Sequence, residues 1–478
     1  MNTRIAIIGL VSAATASIGW TDRKLSVPSD GIEIAQASPK EDARGISKTR
    51  KEILEAKIRE SAFGSRIRAA DQATVPEVKV QDDNYDYKPE SMPEYVDKAL
   101  DWLAQAQHDD GGWGGGTSSR QSIRDPHSVK GDPATTSFAA MAFLRSGHTP
   151  KKGKYKDVVR RATEYLVKVV EAAPAEGPRI TLLTGTQPQA KMGAYVDTSL
   201  TARYLARVLN EMPKKDKLRK RVDKAIDICI AKIQNSQEKD GGWKGGGWAP
   251  VLQTSLAGQA LEIAQQAGKK VDQQVLARAR QNQKKNYDPT SRKVRTDGAA
   301  GVELYAFAGA QRASAIETLE ANDLVEKAKR QGNLSPDAKP TAYNLRKIGL
   351  SEERSKELAD SVVQNEQQQA RVQNDDALLT GFGNNGGEEY LSYLMTSESL
   401  VITGGDAWSK WDEKMHRRLR KIQSPNGSWT GHHCITSPVF CTSAVLQCLN
   451  TYRDADILRD AALASSKKEN EKKVTATP

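Results

Sequence analysis

The sequence predicts an all-α chain whose helical hairpins stand side by side and close into a ring, an α/α toroid. Three observations predict it. A block of the form Gln-x-x-Asp/Asn-Gly-Gly/Ser-Trp occurs at 107–113, 237–243 and 423–429. Each block follows an apolar stripe at helical spacing and precedes a hydroxyl-bearing, largely apolar run. Strand signals, meaning alternating runs bounded by turn residues, are nearly absent.

The stripes come first along the chain. Tyr95, Ala99, Trp102, Leu103 and Ala106 share one helical face ahead of the first block, Ile226, Cys229, Ile230 and Ile233 ahead of the second, and Met415, Leu419 and Ile422 ahead of the third. Within each block glycine permits the left-handed backbone that ends a helix, and the Trp is placed to pack back over the joint. The following segments, Asp132–Leu144, Val251–Leu261 and Val439–Leu449, carry Thr or Ser near their starts, where a hydroxyl caps a helix. Val196–Leu205 repeats that second half without the Gly-Gly-Trp. Helices apolar on most faces are buried on more than one side. An outer amphipathic helix, a glycine turn and an inner apolar helix therefore form one unit, and such units stacked in a closed ring bury one another. Further helices are expected over Tyr155–Ala173, Leu200–Asn210 and Val275–Lys284.

The toroid is expected over 91–464. The Gln-, Lys- and Glu-rich stretch 311–375 reads as a charged helical insertion between hairpins or an arm over one rim, and Lys/Glu-rich 465–478 as a disordered tail. Residues 1–16 read as a signal peptide. They hold one positive charge, the apolar run Ile5–Val11 and an Ala14-Thr15-Ala16 cleavage pattern. Export to the periplasm or outside the cell follows as an expectation, with no transmembrane span in the mature chain. Residues 17–90 read as a charged, largely disordered linker with one possible helix over Ser47–Arg68.

The net charge of +11 favours anionic partners in principle. The basic residues, however, are spread over short runs such as Lys151–Lys156 and Lys214–Arg221, which read as solvated outer-helix faces. No zinc-finger, RNA-binding or basic-zipper pattern is present, and no nucleic-acid partner is expected.

The repeated block is similar to the QW motif of squalene–hopene and oxidosqualene cyclases, and protein prenyltransferase β-subunits carry related Gly-Gly repeats. The resemblance covers about Glu94 to Arg459 and identifies the chain as a member of the terpenoid cyclase/protein prenyltransferase superfamily. It implies the toroid. The activities that it implies need residues that this chain lacks. Triterpene cyclases use an Asp-x-Asp-Asp acid, and here Asn374-Asp375-Asp376 lacks the leading Asp. They also line their cavity with aromatic residues that stabilise carbocations, whereas aromatic residues are 6% of this chain. The prenyltransferase zinc site needs an Asp with a Cys two residues on, and Ala299 follows Asp297 at that spacing. The Cys-Gly-Glu-Gln of complement-like thioester domains is absent.

Two groups of residues remain as candidates. Acids at inner-helix entrances are Asp132, Asp197 and Asp297, where a helix N-terminus stabilises the anion. They serve as caps or as catalytic groups, with Arg203 facing the cavity or pairing beside Asp197. The densest cluster is Trp429-Thr-Gly-His432-His433-Cys434 with Cys441. His432 or His433 with Cys434 and Cys441 would make a zinc site, with His433 also a candidate catalytic group. The competing reading is a Cys434–Cys441 disulfide, with Cys229 and Cys448 as buried thiols. Cys441 and Cys448 lie about 10 Å apart along one helix, beyond disulfide reach. The functional expectation is an exported toroid that binds a small hydrophobic or glycan ligand, or a protein, without cyclase activity. The alternative is an enzyme acting on an isoprenoid or a polysaccharide in the central cavity.

Overall fold

The structure is a computed structural model that describes residues 92–474, with side chains described to residue 466. The expected signal peptide, linker and Ser47–Arg68 helix lie outside the described residues. The described residues belong to one compact unit.

Among the described residues, helices alternate between two roles. The outer helices are α1 (Glu94–Gln105), α3 (Lys156–Glu171), α6 (Lys217–Asn235), α8 (Gln273–Lys284), α11 (Glu352–Asn374) and α14 (Gly405–Lys421). Each buries one face. In α1 that face is Val96, Ala99, Leu100 and Leu103. The inner helices are α2 (Pro133–Arg145), α5 (Val196–Leu209), α7 (Pro250–Gln266), α9 (Glu303–Arg330), α13 (Gly387–Thr403) and α15 (Pro438–Leu449). Every residue of α2 and of α15 is buried, as a helix surrounded on all sides must be. Each inner helix packs on the next, and α15 returns to α2, so the ring closes. The short α4 (Gln187–Met192), α10 (Ala342–Lys347) and α12 (Asp376–Leu379), and one two-residue hairpin at 287–294, decorate the connections.

The three sequence blocks adopt one geometry. The Trp113, Trp243 and Trp429 indoles are fully buried. Their Nε1–H groups donate to the carbonyls of Leu103, Ile233 and Leu419 in the last turns of the outer helices at 2.9, 2.8 and 2.8 Å, where intrahelical donors run out. Their backbone N–H groups donate to the hydroxyls of Thr136, Thr254 and Thr442 on the inner helices. The Gln side chains each donate twice, once within the turn and once to the next outer helix. The second acceptors are Val158 O, Val275 O and Tyr95 O. One Gln thus pairs with two backbone carbonyls and fixes the angle between hairpins. A Cβ at Gly111, Gly241 or Gly427 would fall within 3 Å of the Arg161, Arg278 or Lys98 carbonyl, so close approach requires glycine there.

Two expectations need correction. The stretch 311–375 is not a separate insertion. Its first part continues inner helix α9, in which Leu304–Thr318 are all buried, and its last part is the fifth outer helix, α11. The 28-residue α9 runs about 42 Å. Its far end, with α10 and α11, builds a small satellite core of Ala321, Val325, Ala328, Leu334, Leu345 and Leu358. The described part of the tail, residues 465–474, is helical. Helix α16 (Ala455–Val474) packs on α7, α9 and α13, with Ser465 and Ser466 buried. Gln265 donates to Ala464 O, and Arg459 donates to Val401 O. These contacts place α16 across the C-terminal ends of α7 and α13.

The interior of the ring holds a charge network. Arg145 of α2 and Arg203 of α5 both donate to Glu398 Oε1 of α13. Arg312 of α9 pairs with Glu262 of α7 at 2.5 Å, and Arg145 also donates to Gln447 O of α15. All six inner helices therefore contribute. Arg145 and Arg203 are 2% exposed and Glu398 is 0% exposed. Burial alone would raise the Glu398 carboxyl, but Arg203, Arg145 and Arg312 outweigh it and hold the group at about 2.

Candidate site at the ring mouth

The inner helices all begin at one end of the ring, where the connections from the outer helices arrive. Side chains gathered there come from four connections. Glu388 and Glu389 open α13, Tyr305 opens α9, His433 and Cys434 precede α15, and Lys191 lies on α4.

Glu389 is a cap. Its carboxylate accepts from Gly386 N at 2.8 Å, Phe382 N at 3.1 Å and the Tyr305 hydroxyl. His433 Nε2 stands 3.7 Å from it and contacts Asn384 O at 2.5 Å. Glu388 differs. It is 2% exposed and accepts from Ile435 N at 3.1 Å. Burial, reinforced by the neighbouring Glu389, pushes its carboxyl up to about 8. The Cys434 thiol is also pushed up to about 12, by burial and then by Glu388. Both shifts favour the protonated forms of the thiol and the acid. Cys434 has φ +57°, the left-handed region that a side chain disfavours, and its carbonyl is held by Gln121 Nε2 at 2.7 Å. Thr436 N donates to Gln187 Oε1 at 2.7 Å, which ties α4 to this loop.

Lys191 completes the group. Its residue is 8% exposed, and its Nζ sits 4.5 Å above the centre of the Trp248 ring. It acts electrostatically on both Glu388 and Cys434. Trp248 is 61% exposed.

The residues expected from sequence fall as follows. Asp132 caps α2, accepting from Thr135 N and Gly115 N at 2.8 and 2.7 Å. Asp197 accepts from Ala134 N of the neighbouring helix at 3.2 Å and from Gln189 Nε2 at 2.7 Å. Burial and then Asp132 push the Asp197 carboxyl up to about 7. Asp297 does not cap the inner helix that it precedes, whose N-cap is Val302. It lies in the turn before α9 with its side chain 84% exposed, beside Arg295. Arg203 pairs with Glu398 rather than with Asp197.

The expected zinc ligands do not converge. Among the described residues no three His, Cys, Asp or Glu side chains gather as a metal site requires. Cys441 is buried within α15 with its thiol on Ile435 O at 3.5 Å. Cys434 turns to Glu388, His433 to Asn384 and Glu389, and His432 is exposed. Nor are Cys434 and Cys441 joined, since all four cysteines are free thiols. The sequence reading missed Glu388, Glu389, Tyr305, Lys191 and Trp248. The run Gly386-Gly387-Glu388-Glu389-Tyr390 ahead of an apolar helix was a usable signal for the first two. Nothing local marks Lys191.

The family model of the squalene-hopene cyclase C-terminal domain matches residues 84–177, a stretch that holds the first Gln-x-x-Asp-Gly-Gly-Trp block and the first capped inner helix. No curated protein and no solved structure matches the chain.

Proposed function

We propose, for a chain of the terpenoid cyclase/prenyltransferase-like superfamily, that the toroid binds a ligand at the mouth of its ring and does not cyclise polyenes. One observation carries this reading. The ring interior is occupied by Glu398 with Arg145, Arg203 and Arg312. A polyene needs an apolar chamber there, and an ionised network so deeply buried opposes one. The mouth offers what the interior does not: exposed Trp248 beside buried polar groups. The test is incubation of the purified full chain with squalene, oxidosqualene and farnesyl diphosphate, followed by product analysis. No cyclised or transferred product is expected, and appearance of one would sink the reading.

A second reading rests on Glu388. A carboxyl that keeps its proton to about pH 8 is suited to donate it to a ligand at the mouth as a general acid. Turnover of an isoprenoid or glycan that Glu388→Gln abolishes would select this reading.

We also propose that residues 1–16 direct export. N-terminal sequencing of the mature chain from cell fractions tests this. A cytoplasmic chain that retains Met1 overturns it.

A further inference from the structure

The rim opposite the mouth, where inner helices hand over to outer ones, carries a repeated charge. The connection from α2 to α3 holds Pro150-Lys151-Lys152, that from α5 to α6 holds Pro213-Lys214-Lys215, and that from α7 to α8 holds Gly268-Lys269-Lys270. These pairs are remote in sequence and neighbours in the fold. Arg160 of α3 pairs with Asp216 of the second connection at 2.8 Å. Lys269 of the third reaches Asp223 and Asp227 of α6 at 2.6 and 3.0 Å.

Most of this charge is unmatched. Lys151, Lys152, Lys214, Lys215 and Lys270 are exposed, as are Lys156 and Lys217 at the starts of α3 and α6. Among the described residues none of these seven lysines is in an ion pair. The acids of the rim serve other groups. Asp101 pairs with Lys154, Glu211 with Arg207 and Asp216 with Arg160, and Asp272 caps α8; only Asp157 stands apart. Like charges gathered on one face repel, so folding gains nothing from this arrangement. At the mouth, by contrast, acids match or outnumber bases in the three block-bearing connections 106–132, 236–249 and 422–437.

The residue type narrows the partner. An ammonium on a flexible stem is a point charge that demands no fixed geometry, unlike the arginine fork. The arginines of this rim are engaged: Arg160 and Arg207 in ion pairs, Arg453 against the Tyr452 ring. Tyr155 is buried and Tyr452 partly so, which leaves no open ring in these connections for a nucleic-acid base to stack on. Neighbouring helix axes lie about 8–10 Å apart, so three adjacent helix starts spread the lysines over about 20 Å. A face of that breadth, made of mobile point charges, suits an anionic surface whose headgroups rearrange beneath it.

We infer that the rim opposite the mouth docks by charge on the anionic headgroups of a lipid bilayer, with the mouth turned away from it. This does not depend on what the mouth binds.

The experiment sediments the full-length protein with vesicles of phosphatidylcholine alone and of phosphatidylcholine with one-third phosphatidylglycerol, at about 0.05 and about 0.5 M salt. Binding is expected to the anionic vesicles only, and to be lost at the higher salt. The quadruple variant Lys151→Glu, Lys152→Glu, Lys214→Glu, Lys215→Glu should bind at least about a hundredfold more weakly. A second variant, Lys130→Glu, Lys239→Glu, Lys285→Glu, Lys293→Glu, makes the same change in net charge with exposed lysines of the mouth connections and should bind nearly as the native chain does. Thermal melts of both separate loss of binding from loss of fold. If the first melts early, Lys151→Gln and its three counterparts give the same test at smaller amplitude. Equal loss in the two variants would assign the binding to net charge and overturn the rim site. Binding to neutral vesicles as tight as to anionic ones, or binding to neither, would also overturn it. Tighter binding of a DNA duplex than of the anionic vesicles at the same salt would overturn the partner class.

Discussion

Gln423 donates from its side chain to the backbone carbonyl of Tyr95 at 2.9 Å, across 328 positions of sequence. This contact joins the last hairpin to the first. The same bond joins Gln107 to Val158 and Gln237 to Val275. In the last instance, however, it is also the closure of the ring. Gln423→Ala would strip two hydrogen bonds from backbone carbonyls and cost about 1–3 kcal/mol. Urea unfolding should show that loss, and amide exchange should rise in Glu94–Gln105 more than elsewhere. A variant with unchanged exchange in that helix would mean that packing alone closes the ring.

Glu398 holds Arg145 and Arg203 in the ring interior. Glu398→Leu leaves both cations unpaired and should cost about 3–5 kcal/mol at pH 7. The carboxyl is held at about 2, below its ordinary 4.5. Its contribution is therefore complete above about pH 4.5 and is lost as pH falls from there toward 2. Urea unfolding of the native and variant proteins at pH 7, 4 and 2.5 should show the gap closing with acid. A gap that stays constant would show that Glu398 is not ionised in the native protein.

Glu388 behaves in the opposite sense. Burial and Glu389 raise its carboxyl to about 8, so the folded chain keeps a proton that the unfolded chain releases near pH 4.5. Its ionisation opposes folding, and stability falls as pH rises from about 4.5 to 8. Glu388→Gln removes that slope. The variant should match the native protein at pH 4 and exceed it by a few kcal/mol, to order of magnitude, at pH 8. A difference that does not grow with pH would place the proton elsewhere.

Cys434 occupies a left-handed backbone at φ +57° with a free thiol. Cys434→Gly and Cys434→Ala both delete the thiol, but only glycine relieves the backbone. The glycine variant should be the more stable by about 1 kcal/mol. Under denaturing conditions without reductant, thiol titration of the native chain should count four groups. Two groups would mean that a disulfide forms after all.

Much of the architecture was legible because it rests on local rules. Three blocks announce a helix end, a glycine reversal and an inner helix, and the structure adds to each a Gln bridge and an indole bond of one geometry. The hydroxyl cap expected on each inner helix is met at α15 by Ser437, whereas Asp132 caps α2, α5 and α7 have no side-chain cap, and Thr136, Thr254 and Thr442 accept from the Trp backbone N–H groups. Legibility failed where charge was read as a sign of solvent. Arg312, Glu317 and Glu320 made 311–375 look like an insertion, yet they are buried in pairs with Glu262, Lys284 and Arg354. Composition cannot distinguish a solvated charge from one matched by a partner fifty residues away. The start of the tail was misread for a similar reason. Its Lys/Glu content hid the fact that Ser465 and Ser466 face the ring.

The candidate site was less legible still. His433 and Cys434 were found because they stand together in the chain, but chain proximity sends side chains in different directions from a loop. Lys191, Glu388 and Trp248 meet only after three connections converge at one mouth. The Gln-x-x-Asp-Gly-Gly-Trp block determined by itself that the chain is built of hairpins, since glycine, indole and amide act on backbone groups within a turn or at the next helix. What fills the ring and what faces its mouth was decided by tertiary structure alone. Burial and the pairing of charge depend on neighbours that the chain brings together only on closing.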